Sequence, residues 1–249
     1  MGTPLLQDEE APNILVNGGG RSPCLLICEH ASNRLPRALG TLGLPESELQ
    51  RHIAWDLGAE LVARRLSRPI DAPLVLQRYS RLAHDCNRPP DSPEAMPEIS
   101  EITHIPGNRN LTPADRLARI HGIYRPFHMA IADLLDCRAS EGVRSVVVTV
   151  HSFTPVYKST RRAVELGILH DRDTRLAEKL ITTFPGVDAR LNEPYGPKDG
   201  VLHTLNLHAA PRGLQHVMIE IRNDFISEER AQDEWAERLF ASLAQAGAH

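Results

Sequence analysis

The sequence predicts an α/β fold of three layers: a mostly parallel, mixed twisted sheet with helices on both faces. Three observations carry that prediction. The apolar runs "LLICEH", "SVVVTVHSF" and "HVMIEIRND" are continuous rather than alternating, as in strands buried on both sides. Segments with helical spacing fall between the runs, so strands and helices alternate. Two of the runs end on a histidine and the third carries a glutamate, and open α/β sheets hold their ligands at the carboxyl edge.

The elements follow in order. "GGGRSP" (18–23) reads as a flexible turn before a first core strand at 24–29. "ELQRHIAWDLGAELVARRLS" (48–67) spaces Ile53, Leu57, Leu61 and Val62 as a helical stripe, and Pro69 forces a break. "APLVLQRYS" is a second strand. Prolines at 89–97 and Pro106 mark a long loop over 88–112, of the kind that is usually functional in a compact domain. Thr112 before Pro113 is an N-cap signal for a helix running to Gly142, divided at Pro126. A strand ending at His151 follows, then a strand in "VELGILH", a helix in "DTRLAEKLITTFP", the strand bearing Glu220 and Arg222, and a closing helix over 227–245.

With 249 residues, 41% of them hydrophobic, the chain is expected to form one domain over 1–249 with a sizeable core. The formal net charge is -4 and charges of both signs are scattered, which argues against a nucleic-acid binder. No apolar run approaches the roughly 18 residues of a membrane span. "MGTPLLQDEE" lacks the basic-then-apolar pattern of a secretory signal. Cys24, Cys28, Cys86 and Cys137 are too few and scattered for a disulfide framework, so reduced thiols and a cytoplasmic location are expected. The pattern leaves the oligomeric state open.

Candidate chemistry gathers at the strand ends. His30 and His151 each sit there, although a single strand-end histidine is commonly just hydrogen-bonded. Glu220 inside "VMIEI" is harder to dismiss, since burying an unpaired carboxylate costs several kcal/mol. His52 and Asp56 form an i,i+4 pair on the expected helix, either a ligand pair or a solvent-facing one. Two histidines and one carboxylate meet the nitrogen and oxygen preference of a catalytic zinc site. Arg81, Asn87 and Arg88 in "RLAHDCNR" offer a fork and an amide for a carboxylate, with Asp85 a possible internal partner for either arginine. Arg222 is placed to reach substrate, and "RRAVELG" with "NEPYG" reads as substrate-facing loop.

In their order, "CEHASNRLP", "HIAWDLGAELVARRL", "YSRLAHDCNR", "IPGNRNL", "VHSFTP", "NEPYG" and "IEIRNDF" resemble the N-formylglutamate amidohydrolase family over about residues 12–245. A more distant likeness is to zinc carboxypeptidases and aspartoacylases. The resemblance implies a zinc-exopeptidase-like fold, a divalent metal such as zinc, and hydrolysis of a linear N-acyl amino acid such as N-formyl-L-glutamate. "CNR" looks like the carboxylate grip of those enzymes, and "IEIRND" like the strand bearing the general base, Glu220. Carboxypeptidases have His-x-x-Glu at the first ligand site, whereas this chain has His30-Ala-Ser-Asn33. The third ligand is therefore expected to be Asp56, beside His30 and His151, with Glu29 a lesser candidate. Arg81, Asn87 and Arg88 would bind a substrate carboxylate, and Arg222 the oxyanion or a second carboxylate. The rival expectations are a related metallohydrolase for another small amide and a carboxylate-binding protein without catalysis. A cysteine nucleophile is disfavoured because Cys28 reads as buried in a strand.

Overall fold

The computed structural model describes residues 5–248. In chain order the strands are β1 (Asn13–Val16), β2 (Cys24–Cys28), β3 (Leu74–Gln77), β4 (Ile99–Ser100), β5 (Thr103–His104), β6 (Val146–Phe153), β7 (Val156–Tyr157), β8 (Thr160–Arg161), β9 (Leu166–Leu169), β10 (Ala189–Leu191) and β11 (His216–Arg222). The α-helices are α1 (Glu46–Leu49), α2 (Ala59–Ser67), α3 (Pro113–Arg119), α4 (Arg125–Ser140), α5 (Arg175–Leu180), α6 (His203–His208) and α7 (Glu229–Gln245).

Seven strands form one sheet in the order β1-β3-β2-β6-β11-β9-β10. The pairs β3–β2, β2–β6, β6–β11 and β9–β10 are parallel; β1–β3 and β11–β9 are antiparallel. The fold is thus the mixed, mostly parallel sheet expected. Its central strands are buried along their whole length, which is why they read as unbroken apolar runs. Successive side chains of β2 serve opposite layers. Leu26 and Cys28 pack with α2, α5 and α7, while Leu25 and Ile27 pack with α4 and α6.

Two expected elements differ in a way that shapes the site. The helix over 48–67 is two pieces, because Gly58 takes a left-handed φ of +80° and the Asp56 amide donates to the His30 carbonyl at 2.9 Å. A Cβ at Gly58 would press on the Ile226 carbonyl oxygen, so only glycine fits the bend. The division expected at Pro126 is a π-helical turn over Ile120–Tyr124, which accommodates a residue that donates no backbone hydrogen bond. Within the long loop, β4 and β5 form a short hairpin; a second, β7–β8, follows β6. No helix among the described residues is long and apolar enough to cross a membrane.

Candidate metal centre and cavity

β2, β6 and β11 stand near the middle of the sheet, and their carboxyl ends deliver His30, His151 and Glu220 together. Glu220 is in register with His151 on the neighbouring strand. Asp56 arrives from the turn before Gly58, its backbone pinned to His30. Its Oδ2 lies 3.2 Å from His30 Nδ1 and 2.8 Å from His151 Nδ1. One ligand atom from each of these three residues lies within 4.8 Å of the others, and all three are buried.

The far nitrogen of each imidazole faces another carboxylate. His30 Nε2 is 2.8 Å from Asp85 Oδ1, and His151 Nε2 is 2.9 Å from Glu29 Oε2. Such outer carboxylates fix the ring orientation and leave Nδ1 for a metal. Burial opposes ionisation of Asp56, Asp85 and Glu29, but the imidazoles and, for Asp85, Arg81 outweigh it and hold all three carboxyls below the usual range. Burial likewise opposes charge on both histidines, and the surrounding carboxylates overcome it, raising His30 and, more strongly, His151.

This donor set fits a divalent cation. With neutral imidazoles, the buried carboxylates of Glu29, Asp56 and Asp85 carry three negative charges and Arg81, paired with Asp56 and Asp85, one positive charge; a dication would balance the two in excess. Two nitrogens and a carboxylate oxygen also match the ligand chemistry of zinc, with a coordination position left over.

Glu220 is 5% exposed, and its Oε2 has no hydrogen-bond partner among the described residues. Burial, against the opposing pull of His151 and with added repulsion from Asp56, pushes its carboxyl up to about 7. Glu220, His30, Asp56 and His151 border a cavity of about 680 Å³. Gly167 keeps room beside it: a Cβ there would overlap the Glu193 carbonyl oxygen and approach Glu220 Cβ to 3.1 Å.

The other expected residues divide. Arg81 borders the cavity and joins the ligand group, 2.7 Å from Asp85 Oδ2 and 3.5 Å from Asp56 Oδ1. Asn87 and Arg88 border it too, but both also grip the segment before α6. The Asn87 amide donates to Val201 O and accepts from Thr204 N, while Arg88 donates to Gly200 O and pairs with Glu94. Arg222 is not among the residues that border the cavity; Asp224 and the carbonyls of residues 162–164 hold its guanidinium.

His52 is not paired with Asp56 on a helix but sits in a turn, 3.4 Å from Glu101. Asn33 donates to the Leu49 carbonyl, and Glu29 lies behind His151, off the cavity; neither joins the ligand group. Asp85 as the partner of His30 was not legible, although Asp85 with Arg81 was. Arg162, Pro194 and Tyr195 border the cavity from the two stretches read as loop.

The fold and the buried histidine–aspartate–histidine group define an α/β protein with a site able to hold a divalent metal. The model of the N-formylglutamate amidohydrolase family matches residues 22–227, and the chain belongs to that family. Gene product Atu2144 of Agrobacterium tumefaciens is similar in structure, with a TM-score of 0.95 and 49% identity over 97% of each chain. An N-formylglutamate amidohydrolase from Ralstonia eutropha shares the fold, with a TM-score of 0.70 and 18% identity over 96% of this chain and 98% of that one. No curated protein sequence matches significantly.

Proposed function

We propose that the protein is a metal-dependent amidohydrolase that cleaves a linear N-acyl amino acid, N-formyl-L-glutamate to formate and glutamate in the first instance. The observation that carries this reading is the convergence of His30, Asp56 and His151 beside a free Glu220 carboxylate, in a member of this family. His30, Asp56 and His151 would hold a divalent metal, zinc by their donor preference, which would supply a Lewis acid for the acyl carbonyl and for water.

Glu220 accepts the proton of the attacking water and returns it to the leaving amine nitrogen. A carboxyl near neutrality can do both. Arg81, Arg88 and Asn87 bind a carboxylate of the substrate and fix the acyl group against Glu220. Asp85 and Glu29 hold the imidazoles and are positioning residues.

Formate release from N-formyl-L-glutamate, before and after chelation and after zinc is restored, tests the reading. Turnover should vanish and return. Glu220→Gln should retain metal yet lose about 10²- to 10⁴-fold in kcat. Metal-loaded protein that releases no acid from N-formyl-L-glutamate or from a panel of other N-acyl amino acids would overturn it; turnover confined to another member of the panel would reassign the substrate.

A further inference from the structure

A carboxylate ligand is gripped best by a cation with N–H groups to spare, and the cavity cations differ in how far carboxylates of the protein already engage them. Arg81 is committed to Asp56 and Asp85, and Arg88 to Glu94. Arg162 has no carboxylate within ion-pair distance among the described residues; its Nη1 donates to the Thr154 carbonyl at 3.3 Å. Nor is it a loose surface arginine. Its guanidinium carbon lies 4.7 Å from the ring centroids of both Tyr157 and Tyr195, and 5.6 Å from that of Phe153. Close contact with aromatic rings holds a guanidinium at low entropic cost without occupying its N–H groups with a counter-charge.

The backbone that carries Arg162 is itself held. Arg222 Nη1 donates to the carbonyls of Arg162 at 3.1 Å and Ala163 at 2.9 Å, its Nε pairs with Asp224 at 2.8 Å, and its guanidinium stacks 4.5 Å from the Phe225 centroid. Arg222 is on the strand that bears Glu220, so this brace ties the position of Arg162 to that of Glu220.

We propose that Arg162 receives the side-chain carboxylate of an acidic N-acyl amino acid, and that Arg222 is the positioning residue that holds it there. The proposal rests on the amidohydrolase reading for the substrate's orientation. It divides the labour of the arginines: Arg81 and Arg88 serve the carboxylate beside the scissile amide, and Arg162 reads the one at the far end of the side chain. Among the described residues, Lys198 also borders the cavity without a carboxylate partner, but it is exposed and not caged, so it should contribute little.

The test compares N-formyl-L-glutamate with its neutral isostere N-formyl-L-glutamine. Zinc-loaded Glu220→Gln protein is used for calorimetric binding, and zinc-loaded protein with Glu220 intact for turnover. The glutamate compound should bind at least about tenfold more tightly than the glutamine compound, as expected for a charge-assisted contact. Adding Arg162→Met should erase that preference and leave glutamine binding within about twofold, and Arg162→Lys should restore part of it.

Arg222→Lys should raise KM for the glutamate compound with kcat unchanged. A preference that survives Arg162→Met, equal weakening of both ligands, or a preference that follows Lys198→Met instead would overturn the proposal. Turnover without discrimination between the two compounds sinks the role of Arg162 and leaves the amidohydrolase reading standing. Selective, Arg162-dependent binding without turnover does the reverse, and binding of neither ligand sinks both.

Discussion

Asp85→Asn removes one negative charge and almost no volume, and the structure says what it must cost. Asp85 Oδ1 accepts from His30 Nε2 at 2.8 Å and from the Asn87 backbone N–H at 2.9 Å, while Oδ2 accepts from Arg81 at 2.7 Å. An amide has only one oxygen. If it faces His30, the new NH2 group points at the Arg81 guanidinium; if it faces Arg81, it points at two N–H donors. The substitution therefore loosens the His30 ring and frees Arg81, both within contact of Asp56. Loss of an outer carboxylate typically costs 10- to 100-fold in metal affinity, about 1.4–2.7 kcal/mol. At a site 2% exposed, where no water can replace the lost partner, the upper end is expected. Competition for zinc against a chromophoric chelator at neutral pH measures it, with thermal melting to show that the variant is folded. A folded Asp85→Asn protein whose zinc affinity changes by less than about threefold would refute the idea that Asp85 orients a ligand.

Further outcomes follow from the same geometry. Asn33→Ala should leave zinc content unchanged, since that amide holds the Leu49 carbonyl; metal analysis showing loss would instead make Asn33 a ligand. Gly58→Ala should destabilise the fold by about 1–3 kcal/mol in denaturant unfolding and lower zinc affinity, because the left-handed bend sets Asp56. Burial pushes His84 and His208 down to about 4 and His128 to about 3. Between those values and about 6.5 the unfolded chain binds protons that the folded chain does not, so their contribution to stability is full above roughly pH 6.5 and is lost as pH falls. The ceiling is about 3 kcal/mol for His84 and for His208 and about 5 kcal/mol for His128. His84→Leu, which removes two buried ring nitrogens without partners, should flatten the unfolding free energy against pH; an unchanged slope would contradict this.

The central strands were legible because burial on both faces leaves an unbroken apolar signature, and the polar residues that end or interrupt it stand out. His30, His151 and Glu220 were found that way. Asp56 was reached by a wrong local route: the period of 48–67 is helical, and only the positive φ at Gly58 and the tie to His30 show that the residue belongs to a turn. Arg222 shares a face with Glu220 by strand alternation, yet carbonyls from a segment sixty residues away in sequence capture it. Such contacts have no local signal. The same is true of Glu29 and Asp85, whose partners are the far nitrogens of rings on other strands or loops. The edge strands β1 and β10 and the two small hairpins are too short to carry a period.

His30, Asp56 and His151 are expected to bind one metal ion. X-ray diffraction from zinc-loaded crystals, with anomalous scattering collected on both sides of the zinc edge, tests it most directly. A single strong peak is expected, with His30 Nδ1, His151 Nδ1 and an Asp56 oxygen at about 2.0–2.2 Å, and with Asp85 and Glu29 on the far ring nitrogens. A peak ligated by other side chains, or none at this site in zinc-saturated crystals, would contradict it.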